Sequence, residues 1–112
     1  METESPLKKK YFYAVIMLLI IISFIAFGRI AGNDFINFDD NKYITENIHT
    51  KSGFSQENIK WIFTSVVVGN WHPLTMFSHT LDWRIFGDKP SGHHMINLLL
   101  HIGAVILLFL FL

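Results

Sequence analysis

The chain has no cysteine, only three prolines and little charge. Without cysteine no disulfide can staple a segment, so any part held outside the cytosol must be ordered by packing or by a membrane surface. Charged residues make up 16% of the chain, below the roughly 25% usual for a soluble domain. Nine basic residues are balanced by nine acidic ones, for a formal net charge of zero. That excludes the basic, aromatic-interleaved surface that nucleic-acid binding needs. No internal repeat or low-complexity tract is visible.

Apolar residues are what the chain has in excess, at 51%, and they collect near its two ends. Tyr11 to Phe27 carries no charge and only Ser23 as a clearly polar residue, with Gly28 extending the run. At about 1.5 Å per residue this nearly crosses a ~30 Å hydrocarbon core. A second run from Met95 to Leu112 is interrupted only by Asn97, His101 and Gly103. The expected fold class is therefore an all-α membrane protein, two transmembrane helices flanking an extracytoplasmic loop that contains amphipathic helices. The boundaries read as a basic cytoplasmic stub (1–10), a first span (11–28), the loop (29–93) and a second span (94–112).

Lys8, Lys9 and Lys10 stand directly before the first run, whereas Arg29, Lys42, Lys51, Lys60, Arg84 and Lys89 are dispersed among acids. The positive-inside rule then puts the amino terminus in the cytoplasm and the loop outside, which in a bacterium means an inner-membrane protein with a periplasmic loop. A cleavable signal peptide starts the same way, but the length of the run and the absence of a small-x-small site around Phe27-Gly28-Arg29 favour a retained anchor. No polar anchor follows Leu112, so the expectation is a fragment whose second span is truncated.

Within the loop, Gly32, Asn33, Asp34 and Asn37 suggest an irregular exit from the first span. Ser55 is placed to cap a helix with Glu57 in its first turn, and Ile59, Ile62, Phe63, Val66 and Val67 give it an apolar face ending near Gly69-Asn70. Pro73 suits the first turn of a further helix and Gly87 its end. Leu74, Phe77, Leu81 and Ile85 line one side of that helix, widened by Met76 and Trp83. The two helices either cover one another or lie at the lipid headgroups, where Trp61, Trp71 and Trp83 would be at home. Pro90-Ser91-Gly92 breaks the chain before His93-His94 opens the second span. His94, Asn97 and His101 then form a stripe within about 60° on a helix. Such a stripe should face protein or water.

Asp39 and Asp40 lead the candidates for acid or base chemistry, since they stand just past the first membrane exit. In an extended segment their side chains would point to opposite faces, which divides them into one general base and one binding or orienting group. Asp-Asp-Asn is also an ordinary turn or helix cap. Six histidines raise a divalent metal, bound through His72, His79 or His94 with an aspartate, although no tight His-x-x-x-His pair occurs in the loop, only the adjacent His93-His94, and interfacial histidines without a metal account for the same residues. Trp71-His72-Pro73-Leu74-Thr75 puts an imidazole and a hydroxyl at a helix start, where free amides favour an anion and Arg84 adds a cation. Capping and interfacial anchoring explain those residues equally well without a ligand.

The order of these pieces carries a resemblance. The run from Phe35 through Asp39-Asp40 to Asn47, then Asn70-Trp71-His72-Pro73-Leu74-Thr75, Ser78-His79, Leu81-Asp82, Phe86-Gly87, and Pro90-Ser91-Gly92-His93-His94 leading to Asn97-Leu98-Leu99-Leu100-His101 resembles one family. It is the amino-terminal region of the polytopic membrane proteins with tetratricopeptide repeats, the transmembrane-and-TPR O-mannosyltransferase type and its prokaryotic relatives. The resemblance implies a GT-C glycosyltransferase that moves a sugar from a polyprenyl-phosphate carrier to an acceptor, for animal members a protein Ser or Thr hydroxyl. Its acidic pair in the first extracytoplasmic loop falls on Asp39 and Asp40. His72, Arg84 and His94 are the candidates for the donor phosphate, and His72 stands where animal members tend to have Arg. The implied partners are the bilayer, the lipid-linked donor and a protein or glycan acceptor. The chain carries none of the repeats, so the fragment alone would not be active. The alternative from another class is a non-catalytic, membrane-anchored repeat scaffold.

Overall fold

A computed structural model describes residues 6–112. Its regular elements are helical. α1 is Pro6–Phe27, α2 Ile48–Lys51, α3 Gln56–Thr64, α4 Pro73–Phe86 and α5 Pro90–Phe111. A 3-10 turn at Gly28–Gly32 and a π-helical turn at Asn41–Thr45 complete the list. Among the described residues the one β feature is an isolated bridge between Val67 and Asn70. The described residues divide into two compact units, one of residues 6–30 with 95–112 and one of residues 31–94.

In the first unit, α1 and the later part of α5 run antiparallel, with Phe12 on Phe109 (ring centroids 5.6 Å) and Phe27 edge-on to His101 (5.0 Å). Leu98 and Ile102 are buried there, whereas most apolar side chains of α1 point outward. Ser23, the single polar residue in the run, donates its hydroxyl to the Leu19 carbonyl one turn back, so its burial costs little. Segments Leu7–Gly32 and Pro90–Phe111 are both long and apolar enough to cross a membrane. Pro90 begins α5 and does not interrupt the chain before it, because at the first helical position its missing amide proton had no partner to lose. Asn97 and His101 remain exposed and line a cleft with Phe27, Ile30 and Leu98.

The second unit packs α2, α3 and α4 around Ile62, Val67 and Met76, with Tyr43, Phe54 and Trp61 against them. Ser55 caps α3 by accepting from the Asn58 amide at 3.2 Å. The helix ends at Thr64, short of the Gly69-Asn70 end the apolar spacing suggests. The β-branched pair Val66-Val67 prefers extended backbone, and Val68, against its own β-branched preference, joins Gly69 at positive φ to close a two-residue turn that pairs Val67 with Asn70. α4 opens on Pro73 and closes on Gly87, whose φ of 61° suits glycine.

The inward side of α4 differs from the apolar side its sequence suggests. Leu74 is 75% exposed, and Phe77, Leu81 and Ile85 also face out. The residues buried on α4 are Met76, Thr80 and Asp82. This helix turns much of its polar side inward.

Candidate functional site

The acidic pair is not extended. Asn37 to Asp39 form a turn that leads through Asp40, itself in the right-handed helical region, into the π-helical turn. Three local bonds produce this. The Asp40 carboxylate accepts from the Ile36 amide at 2.9 Å, and the Asp39 carbonyl accepts from the amides of Lys42 (2.9 Å) and Tyr43 (3.1 Å). The turn reading of Asp-Asp-Asn therefore describes the backbone, with Asp40 bonding a main-chain amide as such residues do. The Asp39 carboxylate has no hydrogen-bond or ion-pair partner among the described residues. Phe35, Ile36, Asn37, Asn41, Thr45 and Glu46 line a small cleft beside this turn, and neither aspartate contributes to its wall.

Distant segments meet next to the pair. Tyr43, one turn on, packs on His72 (5.2 Å) and His79 (6.3 Å). Phe35 lies edge-on to His93 at 5.2 Å and 6.0 Å from the His94 ring. Motifs widely spaced along the chain thus converge in one unit: the acidic turn, the His72-Pro73 helix start, the His79-to-Asp82 turn of α4 and the His93-His94 start of α5. Arg84 is not among them. It lies roughly 140° round α4 from His79, is exposed, and sets its guanidinium 3.5 Å from where a Cβ on Gly53 would be.

The tightest cluster is His79, Asp82 and His93. One potential ligand atom from each lies within 4.8 Å of the other two. Asp82 and His93 are each only 2% exposed. Burial, reinforced by the nearby His93 and His72 rings and opposed by Asp40, lowers the His79 pKa to about 4, so the ring is neutral at physiological pH. Burial also raises the Asp82 pKa, with His93 pulling the other way. The His93 Nε2–H donates to the Gly87 carbonyl at 2.9 Å, so that Nδ1 is the nitrogen left to accept or to ligate. Nδ1 of His93 and Nδ1 of His79 are both buried without a hydrogen-bond partner, as are Nε2 of His72 and Nε2 of His94.

Sequence reasoning named His79 with an unspecified aspartate but not Asp82 or His93. The signal for Asp82 was present, because residues three apart share a helix face. His93 had none, since its approach to α4 depends on how the chain turns at Gly87 and Pro90. Gly92 makes that turn fit: a Cβ there would fall inside the Phe86 ring. No protein-family model matches the chain, and neither does any curated protein or solved structure.

Proposed function

We propose that this chain is the amino-terminal part of an integral-membrane glycosyltransferase of GT-C type, with Asp39 as the general base. The acceptor hydroxyl attacks the anomeric carbon of a sugar carried on polyprenyl phosphate. Its proton passes to the Asp39 carboxylate, the carbon–phosphate oxygen bond breaks, and the polyprenyl phosphate leaves with the bonding pair. The observation that carries this reading is the division of labour within the acidic pair. Asp40 spends a carboxylate oxygen holding the turn, while Asp39 keeps its carboxylate uncommitted, as a base that must reach a substrate proton requires.

Three further features agree with it. Two helices have the length and apolarity for a bilayer. Asn97 and His101 stay exposed on one of them, and polar groups in a span call for additional protein or a water-filled cavity. The outward Leu74, Phe77, Leu81 and Ile85 suit an apolar neighbour such as lipid. With Lys8 to Lys10 on the cytoplasmic side, the acidic turn faces the trans compartment. His72 and His94 are the nearer candidates for the donor phosphate, as both lie with the aromatic residues flanking the turn.

The test is transfer of a labelled sugar from polyprenyl phosphate by membranes that contain the full-length protein. Asp39→Asn should lower the rate by about 100-fold or more, the usual worth of a general base, with insertion unchanged. Asp40→Asn keeps an oxygen acceptor for the Ile36 amide and should cost far less. Full activity of Asp39→Asn rejects the base assignment. If all substitutions at the pair are silent and the protein still captures partners, the repeat-scaffold reading replaces it.

A further inference from the structure

Three acceptors converge where His79, Asp82 and His93 meet. His79 offers its unpartnered Nδ1, His93 offers Nδ1 because its other nitrogen is committed to the Gly87 carbonyl, and Asp82 offers a carboxylate with no donor among the described residues. Acceptors cannot satisfy one another. A proton on Asp82 would serve one imidazole and leave the other unmet, and an unmet buried polar atom costs on the order of 1–3 kcal/mol. The group that satisfies all three at once is a cation. Two imidazoles and a carboxylate suit a divalent transition metal and not a hard, oxygen-seeking ion such as calcium.

The surroundings are those of a built site. The hydrogen bond from His93 Nε2 to a main-chain carbonyl is the outer-shell contact that orients a metal-bound histidine. Phe35, Trp83 and Phe86 pack round the same imidazole at 5.2, 6.2 and 6.4 Å. His79 and Asp82 are held on a single face of a helix fixed at both ends by Pro73 and Gly87.

We propose that His79, Asp82 and His93 bind one divalent transition-metal ion of the zinc class. Three protein ligands leave a fourth position for water or a substrate oxygen. The site stands independently of the transferase reading, since none of its ligands is the proposed base.

The experiment is titration of the chelator-treated, detergent-solubilised full chain with Co2+, followed by visible absorption, and with Zn2+, followed by metal content after dialysis. One equivalent should bind, with the ligand-field bands of a four-coordinate ion. Asp82→Asn, which keeps shape and removes the charge, should weaken binding by more than the ~10–100-fold that loss of an outer-shell partner brings. His49→Gln should leave binding as it was. His79→Cys should retain the ion and add thiolate-to-Co2+ charge-transfer absorption, a readout that does not depend on how Asp82→Asn folds. No uptake by the wild-type chain, equal affinity in Asp82→Asn, or Co2+ binding to His79→Cys without charge transfer each overturns the proposal.

Discussion

The second unit buries two histidine clusters, and they are treated in opposite ways. On the α2–α3 side the facing polar atoms of His49 and Asn58 are paired. The His49 Nδ1–H donates to Asn58 Oδ1 at 3.0 Å, and the Asn58 amide nitrogen donates to the carbonyls of His49 and Gly53. The His49 ring stacks on Trp61 at 4.0 Å. On the α4–α5 side, His79, Asp82 and His93 are buried as deeply, yet lone pairs of both imidazoles face no donor. A protein that pairs the facing atoms of one such cluster and leaves those of its neighbour open is using the first for structure and the second for something else.

That contrast can be broken most forcefully from the structural side. Asn58→Ala removes the bonds that hold α2 to α3, strands the Gly53 carbonyl and the His49 Nδ1–H, and leaves the His49 carbonyl with only the Ser52 amide. It should cost about 3 kcal/mol of stability, the sum expected when several buried groups lose their partners. Chemical denaturation of the detergent-solubilised chain reads this directly, and an unchanged midpoint would mean the closed cluster does not hold the unit together.

The open cluster should instead announce itself through pH. The His79 pKa is about 4 when folded and 6.5 when unfolded. Between those values the unfolded chain binds the extra proton, so this histidine's contribution to stability is present above pH 6.5 and is lost as the pH falls toward 4. Its size is on the order of 3 kcal/mol at most. Asp82 acts in the opposite sense: its folded pKa is raised, so its contribution is lost as pH rises through that folded value. His79→Gln should therefore remove the acid-side slope of the unfolding curve between pH 4 and 6.5 and leave the opposite trend of Asp82. Wild type and His79→Gln with the same slope across this window contradict the assignment of a neutral, buried His79.

A smaller effect sharpens the comparison from the packing side. Gly92→Ala places a methyl inside the Phe86 ring and must displace the start of α5 that carries His93. Overpacking of this kind costs about 1–3 kcal/mol. Metal affinity should fall along with stability, whereas Asn58→Ala should lower stability with the metal site intact.

The parts of the fold that were legible from sequence are those governed by local rules. The two long apolar runs and the Pro73-to-Gly87 limits of α4 need only run length, proline and glycine to be read. The end of α3 was overshot because helical spacing continues through Val66 and Val67, while β-branching and Gly69 decide for a turn. The inward side of α4 was missed for a deeper reason. Periodicity assigns the apolar side to the interior, and here Leu74 and Ile85 are out while Asp82 is in. Asp39 and Asp40 were found by type and position, yet their unequal roles depend on a bond from Asp40 to the Ile36 amide that no spacing rule specifies. His93 entered the cluster only through the three-dimensional turn between Gly87 and Gly92.

The most direct trial of the contrast is a paired unfolding measurement on metal-free protein, Asn58→Ala beside Asp82→Asn, at neutral pH. Asn58→Ala should lose stability, and Asp82→Asn should match or exceed the wild type because a neutral amide replaces a carboxyl that burial already disfavours as an anion. If Asp82→Asn falls as far as Asn58→Ala, the carboxylate is a structural strut and the difference between the two clusters does not exist.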